Sequence, residues 1–206
     1  TVAGPGKFGY SHSFKKDHLI DKAAKLAMAD CGVEYINYPF DISGSDERQF
    51  STPGFRIPMG TISKDKYFEY DYYHTSLDNL DFIKPEYLSK SLILYMMTIL
   101  NLERNKIYKS LNQYCEPMLG KRGLYPSIGG SQKQKVGARA DFFEKQSNLN
   151  KAVTVTDEIE AMLSLMFYSD GEVSLIDIAE KTKLPMSVLD EKAKLLIKKD
   201  LLELVK

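Results

Sequence analysis

A chain of 206 residues suits one mid-sized domain plus a small one, or a piece of something larger. With 43% hydrophobic and 27% charged residues, its composition is that of a soluble globular protein. A formal net charge of zero gives no electrostatic reason to expect nucleic acid or an anionic membrane as partner.

The chain opens Thr1-Val2-Ala3-Gly4, with no methionine and no polar tail. This reads as the end of a buried strand, and an amino-terminal part is expected to be missing. Gly4-Pro5-Gly6 is a turn signal. Phe8 to Phe14 alternates loosely, as a strand or an ordered loop. A helix is predicted over Asp17 to Asp30, with Leu19, Ile20, Ala23, Ala24, Ala27 and Met28 on one face and Gly32 as its left-handed cap.

Val33 to Tyr38 reads as a strand ended by Pro39. Asp41 to Phe50 is polar and opens a short helical turn with Ser45 or Asp46 as N-cap. Phe55 to Ile62 is predicted as a further strand, with Pro58 marking an edge or an irregular end. Tyr67 to Tyr73 holds five aromatic residues in seven. After a loop from Asp78 to Lys84, Pro85 fits the first turn of a long helix to about Arg104. Its expected core face is Leu88, Leu92, Tyr95, Met96, Ile99 and Leu102 or Glu103. The longest apolar run, Leu92 to Leu100, is too short to span a bilayer.

A Gly/Pro-rich stretch from Cys115 to Gly130 and a basic, linker-like one from Ser131 to Asn150 follow. The expected division is therefore an α/β part over 1–150, with linker from about 131, and a small domain over 151–206. Asp157 to Tyr168 reads as an amphipathic helix with Ile159, Met162, Leu163, Met166 and Phe167 inward. Ser174 caps a second helix, Leu175 to Thr182. A third, Met186 to Lys199, buries Leu189, Ala193, Leu196 and Ile197, and Leu201 to Val205 reads as a strand.

This order resembles a winged helix-turn-helix. From Thr156 onward the chain has 11 acidic and 7 basic residues, and Asp190 and Glu191 sit on the third helix. That balance opposes approach to phosphates, so packing or homodimerisation is the favoured role and nucleic acid is not an expected partner. Cys31 and Cys115 match no zinc or redox spacing, which points to reduced thiols in a cytoplasmic protein.

Three features stand close together: Gly44-Ser45-Asp46-Glu47, Tyr73-His74-Thr75-Ser76, and Asp78-Asn79-Leu80. Singly, Asp46 reads as a helix cap, His74 as a hydrogen-bonded histidine and Asp78 as a turn residue. In order, they resemble the carboxy-terminal half of the zinc aminopeptidase superfamily, which includes glutaminyl cyclases. There an acidic turn precedes the penultimate strand and a His-Thr turn supplies the last metal-binding histidine. Gly44 to Phe50, Tyr73 to Asp81 and Cys115 to Pro126 are similar to a family of aminopeptidase-like bacterial proteins. Its members carry a carboxy-terminal winged helix and are often linked to surface-polysaccharide gene clusters.

The resemblance implies part of a zinc-exopeptidase-type three-layer α/β domain followed by a winged helix-turn-helix. It implies hydrolysis of a small peptide or amide substrate by zinc-activated water. His74 would be the metal ligand, Asp78 its orienting partner, Asp46 and Glu47 site carboxylates, and Tyr73 part of the substrate pocket. The remaining ligands and the base would lie before Thr1. Relatives often show a carboxylate where this chain has Gly4-Pro5-Gly6, which argues against a second metal. A non-catalytic protein keeping the fold for binding, and a DNA regulator acting through the last domain, stay open as alternatives.

Overall fold

The computed structural model describes residues 1–125 and 155–205, and the chain divides into two compact units between Leu102 and Glu103. The linker expected from about 131 to 150 lies outside the described residues. The second unit takes in residues well ahead of 151, because a strand at 107–110 pairs with strands late in the chain.

In the first unit β1 (Phe8–Ser11) is central, parallel to β2 (Tyr35–Tyr38) and antiparallel to β3 (Thr61–Lys64). Helix α1 (Leu19–Asp30) covers one face: Phe8, Tyr10 and Ile62 pack with Ala24, Met28 and Cys31. Gly32, at φ 62°, ends α1 as predicted, and the Val33 N–H returns to the Met28 carbonyl. Thr1–Ala3 is not a strand, although the Thr1 carbonyl accepts from Lys64 and that of Ala3 from Lys84.

The third strand lies later than expected. Phe55 and Ile57 are exposed, because the segment turns back on the short helix α2 (Asp46–Phe50): Ile57 N–H bonds Phe50 O, and Ser51 Oγ donates to Ile57 O. Pairing starts only at Thr61, opposite Ser11.

Helix α3 (Pro85–Arg104) begins and ends as predicted but presents a different face. Its buried residues are Ser91, Leu94, Thr98 and Asn101, while Leu88, Leu92, Tyr95, Met96 and Ile99 are exposed. The polar side chains of the buried face donate to backbone carbonyls, while Asn101 Oδ1 has no hydrogen-bond partner among the described residues. Ser91 Oγ donates to Val2 O, Thr98 Oγ1 to Leu94 O, and Asn101 Nδ2 to Ala23 O.

The second unit is built around β4 (Ile107–Ser110), flanked antiparallel by β5 (Asp170–Ser174) and β6 (Leu202–Leu204). Three helices cover it: α4 (Val155–Tyr168), α5 (Leu175–Thr182) and α6 (Met186–Lys198). Leu165, Leu175, Ile178, Met186, Leu189 and Leu196 form the core. Phe167 and Ile197, expected inward, are exposed; Leu165 and Ala161 take the inner face of α4 instead. The mixed α/β unit followed by a winged-helix unit agrees with the expected class; the described sheets are small, with three strands each.

Candidate functional site

The segment between β3 and α3 is a string of turns that sets aromatic rings against one another. Tyr73 is the hub. Its ring centroid lies 4.9 Å from Phe68, 5.8 Å from Tyr70 and 6.2 Å from Tyr67. The His74 imidazole stacks on it at 4.0 Å, with an interplanar angle of 16°. Tyr70 in turn stacks on Phe82 at 5.5 Å. Thr75 Oγ1 donates to Tyr72 O and accepts from Leu77 N–H, which holds the turn that carries His74. His74 itself is exposed and at φ 57°.

Two tyrosines link this hub to carboxylates. Burial, then the nearby Glu47 carboxylate, pushes the Tyr67 phenol above its ordinary pKa. Burial, then Asp78, does the same to Tyr70. Glu47, Tyr73, His74 and Asp78 thus belong to one cluster through Tyr67 and Tyr70. Asp78 lies against Tyr70. Asp46 is exposed at the start of α2.

A zinc site takes about three protein donors. Among the described residues, no three His, Cys, Asp or Glu side chains are grouped so as to hold a metal ion. The described residues therefore do not make a zinc site by themselves.

Two clusters were not foreseen. Asp21, 0% exposed at N3 of α1, accepts from Tyr10 Oη at 2.7 Å, Ser13 N at 2.8 Å, Ser13 Oγ at 2.7 Å and His18 N at 3.0 Å. Burial alone would raise its pKa, but these donors outweigh it and hold the carboxyl below the usual range. The available signal was a carboxylate three residues past a helix N-cap. His12 Nδ1 faces this carboxylate at 3.8 Å, and His18 is half-buried. The second cluster is the Gly4–Gly6 turn, which wraps the Asp65 carboxylate. Gly6 N–H donates to it at 2.9 Å, and a Cβ on either glycine would overlap it.

A cleft of about 680 Å³ lies within the second unit, between residues 112–117 and α4. It contains none of Asp46, Glu47, Tyr73, His74 or Asp78.

A family model described as "Domain of unknown function (DUF4910)" matches residues 1–105. The chain belongs to that family. A winged helix-turn-helix model matches residues 106–144 and 143–204 of this DUF4910 protein. A relative from Clostridium acetobutylicum, named "Putative polysaccharide biosynthesis protein with aminopeptidase-like domain", is 37% identical over 204 residues, covering 99% of this chain and 42% of the relative. The crystal structure of a "putative peptidase" from the same organism superposes with a TM-score of 0.77 at 32% identity, covering 99% of this chain and 40% of the other. The DUF4910 chain thus spans about two fifths of the relatives it matches. Among its described residues, no helix is long and apolar enough to cross a membrane.

Proposed function

We propose that this chain is part of an aminopeptidase-like metallohydrolase that cleaves peptide or amide bonds. The observation that carries the reading is the match, over 99% of the chain, to the structure described as a "putative peptidase". The local arrangement supports it: an exposed imidazole on a fixed aromatic hub, with Glu47 and Asp78 tied to the same hub through Tyr67 and Tyr70.

In this reading His74 is one ligand of a zinc ion whose other donors come from outside the described residues. A neutral imidazole with an exposed edge is suited to that role. Tyr73 holds the ring by stacking and borders the substrate, Glu47 and Asp46 are the neighbouring carboxylates, and Asp78 supports the cluster from the Tyr70 side. The free thiols of Cys31 and Cys115 accord with a cytoplasmic location. The chain alone is expected to bind zinc weakly and to hydrolyse no peptide.

The test is metal analysis of the full-length protein beside its His74→Ala variant, with hydrolysis of aminoacyl amides followed in both. Loss of zinc and of turnover in the variant is expected. Unchanged zinc content would remove His74 as a ligand, and robust aminopeptidase activity of the 206-residue chain would overturn the view that its site is incomplete.

A further inference from the structure

The Gly4-Pro5-Gly6 turn is joined to the aromatic segment at both of that segment's ends. Neither glycine is among those with positive φ, so their backbones would accept other residues. Space is what requires them. A Cβ on Gly4 would lie 2.8 Å from Cζ of Phe82 and would overlap the Asp65 carboxylate. That carboxylate is held in place by the Gly6 N–H, and the Asp65 N–H bonds Lys7 O. Lys64, 5% exposed, donates its ammonium to Gly6 O, and Lys84 N–H bonds Ala3 O. Phe82 is thus seated against a turn that is itself tied down.

Phe82 in turn carries the rings that lead to His74. Tyr70 lies flat on it, with 5.5 Å between centroids and 8° between planes, and Tyr72 meets it edge-on at 4.9 Å. The phenol of Tyr70 engages Asp78. Tyr70 also touches Tyr73 at 5.8 Å, and the imidazole stacks on Tyr73. His74 is exposed, so its plane is set by the ring it lies on and not by burial. Aromatic pairs prefer particular mutual orientations, so displacing one ring re-aims its neighbours.

We propose that Phe82, seated on the Gly4-Pro5-Gly6 turn, is a positioning residue for His74. It acts through Tyr70 and Tyr73, and the glycines keep its seat open. The inference rests on reading His74 as a site residue, since a side chain that binds must be held in one orientation. It needs neither a metal nor a hydrolytic step.

Proton NMR of the His74 ring in the metal-free 206-residue chain tests it. Protons held over an aromatic face resonate upfield. The chain has three histidines, so loss of a signal set in His74→Ala assigns the others by difference. Phe82→Leu keeps an apolar side chain without the ring and leaves both glycines in place. It should shift the His74 ring protons downfield, toward their position in Tyr73→Leu, while those of His12 and His18 stay where they are. Gly4→Ala crowds the same ring and should also move His74, and combined with Phe82→Leu it should shift the signals by less than the sum of the two. A residue that only stabilised the unit would move all three histidines together or none. Tyr10→Phe weakens the contact between β1 and α1 in the same unit and should leave His74 unmoved. Unshifted His74 signals in Phe82→Leu or in a folded Gly4→Ala, additive shifts in the double variant, or an equal movement of His74 in Tyr10→Phe overturns the proposal. A shift in Phe82→Leu, with zinc unchanged by His74→Ala in the full-length protein, would sink the metal reading and leave the positioning; the opposite pair of results would sink the positioning alone.

Discussion

The Tyr10 phenol donates to Oδ1 of Asp21 at 2.7 Å in a part of the fold where the two residues are 1% and 0% exposed. The bond joins the central strand β1 to the first turn of α1. It also places a full negative charge inside the unit, held by four donors. Breaking such a set costs more than forming it contributes, since the remaining groups stay buried and unpaired. Asp21→Asn, which turns an amide toward those donors, is expected to cost about 3 kcal/mol, and Tyr10→Phe about 1.5 kcal/mol. Urea unfolding of both single variants and the double variant checks this. Additive losses would mean that the two residues are not coupled.

The same carboxylate makes stability depend on pH with a defined sign. Its folded pKa lies below the ordinary aspartate value of 3.8, so the native state favours the charged form. The stabilisation is complete above 3.8 and is lost as pH falls through the lower, folded value. Acid titration of the unfolding midpoint should therefore show a steeper fall below 3.8 in the parent than in Asp21→Asn. Parallel curves would dismiss Asp21 as a source of acid lability.

Gly60 is required by the same phenol and not by its own backbone. It is absent from the positive-φ glycines, yet a Cβ there would overlap Tyr10 Oη. Tyr10 cannot retreat without leaving Asp21. Gly60→Ala is expected to destabilise by about 2 kcal/mol through overpacking. In a Tyr10→Phe background, where the hydroxyl is gone, the penalty should shrink. An equal penalty in both backgrounds would place the clash elsewhere.

What could be read beforehand was mostly local. Gly32, Pro85 and Ser174 mark helix ends through their own backbone and side-chain chemistry, and each stands where predicted. The aromatic run and His74 were visible as residues, but not that Tyr73 would be their hub, because ring packing depends on turns closed by Thr75 and Asn79. Strand β3 was misplaced because its limits come from pairing with Ser11 and Phe8, fifty or more positions away. The face of α3 was misread for a related reason. Periodicity selects the most apolar stripe, whereas the buried one carries Ser91, Thr98 and Asn101 with bonds to Val2 and Ala23 that only the fold supplies.

Ser174 offers a local prediction in the second unit. Its Oγ accepts from Asp177 N–H at 3.3 Å and donates to the Asp177 carboxylate at 2.7 Å, a reciprocal cap at the start of α5. Ser174→Ala should cost about 1 kcal/mol and Ser174→Gly less, because glycine tolerates the cap backbone. An unchanged denaturant midpoint in Ser174→Ala would argue against side-chain capping.

Helix α6 occupies the position from which a winged-helix protein would enter a DNA groove, but its central charges are engaged within the unit. Lys192, 8% exposed at its side chain, bonds Glu158 at 3.0 Å and lies 3.4 Å from Glu191. Lys194 pairs with Asp190 at 2.7 Å, and Arg104 approaches the same carboxylate at 4.0 Å. Contact with phosphates would require giving up these pairs and bringing Glu191 toward a polyanion. Binding driven by phosphate contacts weakens steeply with salt, so low salt is the condition most favourable to it. Even there, no retardation of a random duplex is expected in a gel-shift assay. Glu158→Gln and Asp190→Asn remove the carboxylate partner of Lys194 and leave Lys192 with Glu191 alone. The double variant should gain weak, salt-sensitive binding that the parent lacks. Retardation by the parent at low salt, abolished as salt is raised, would restore the DNA-binding reading of this unit.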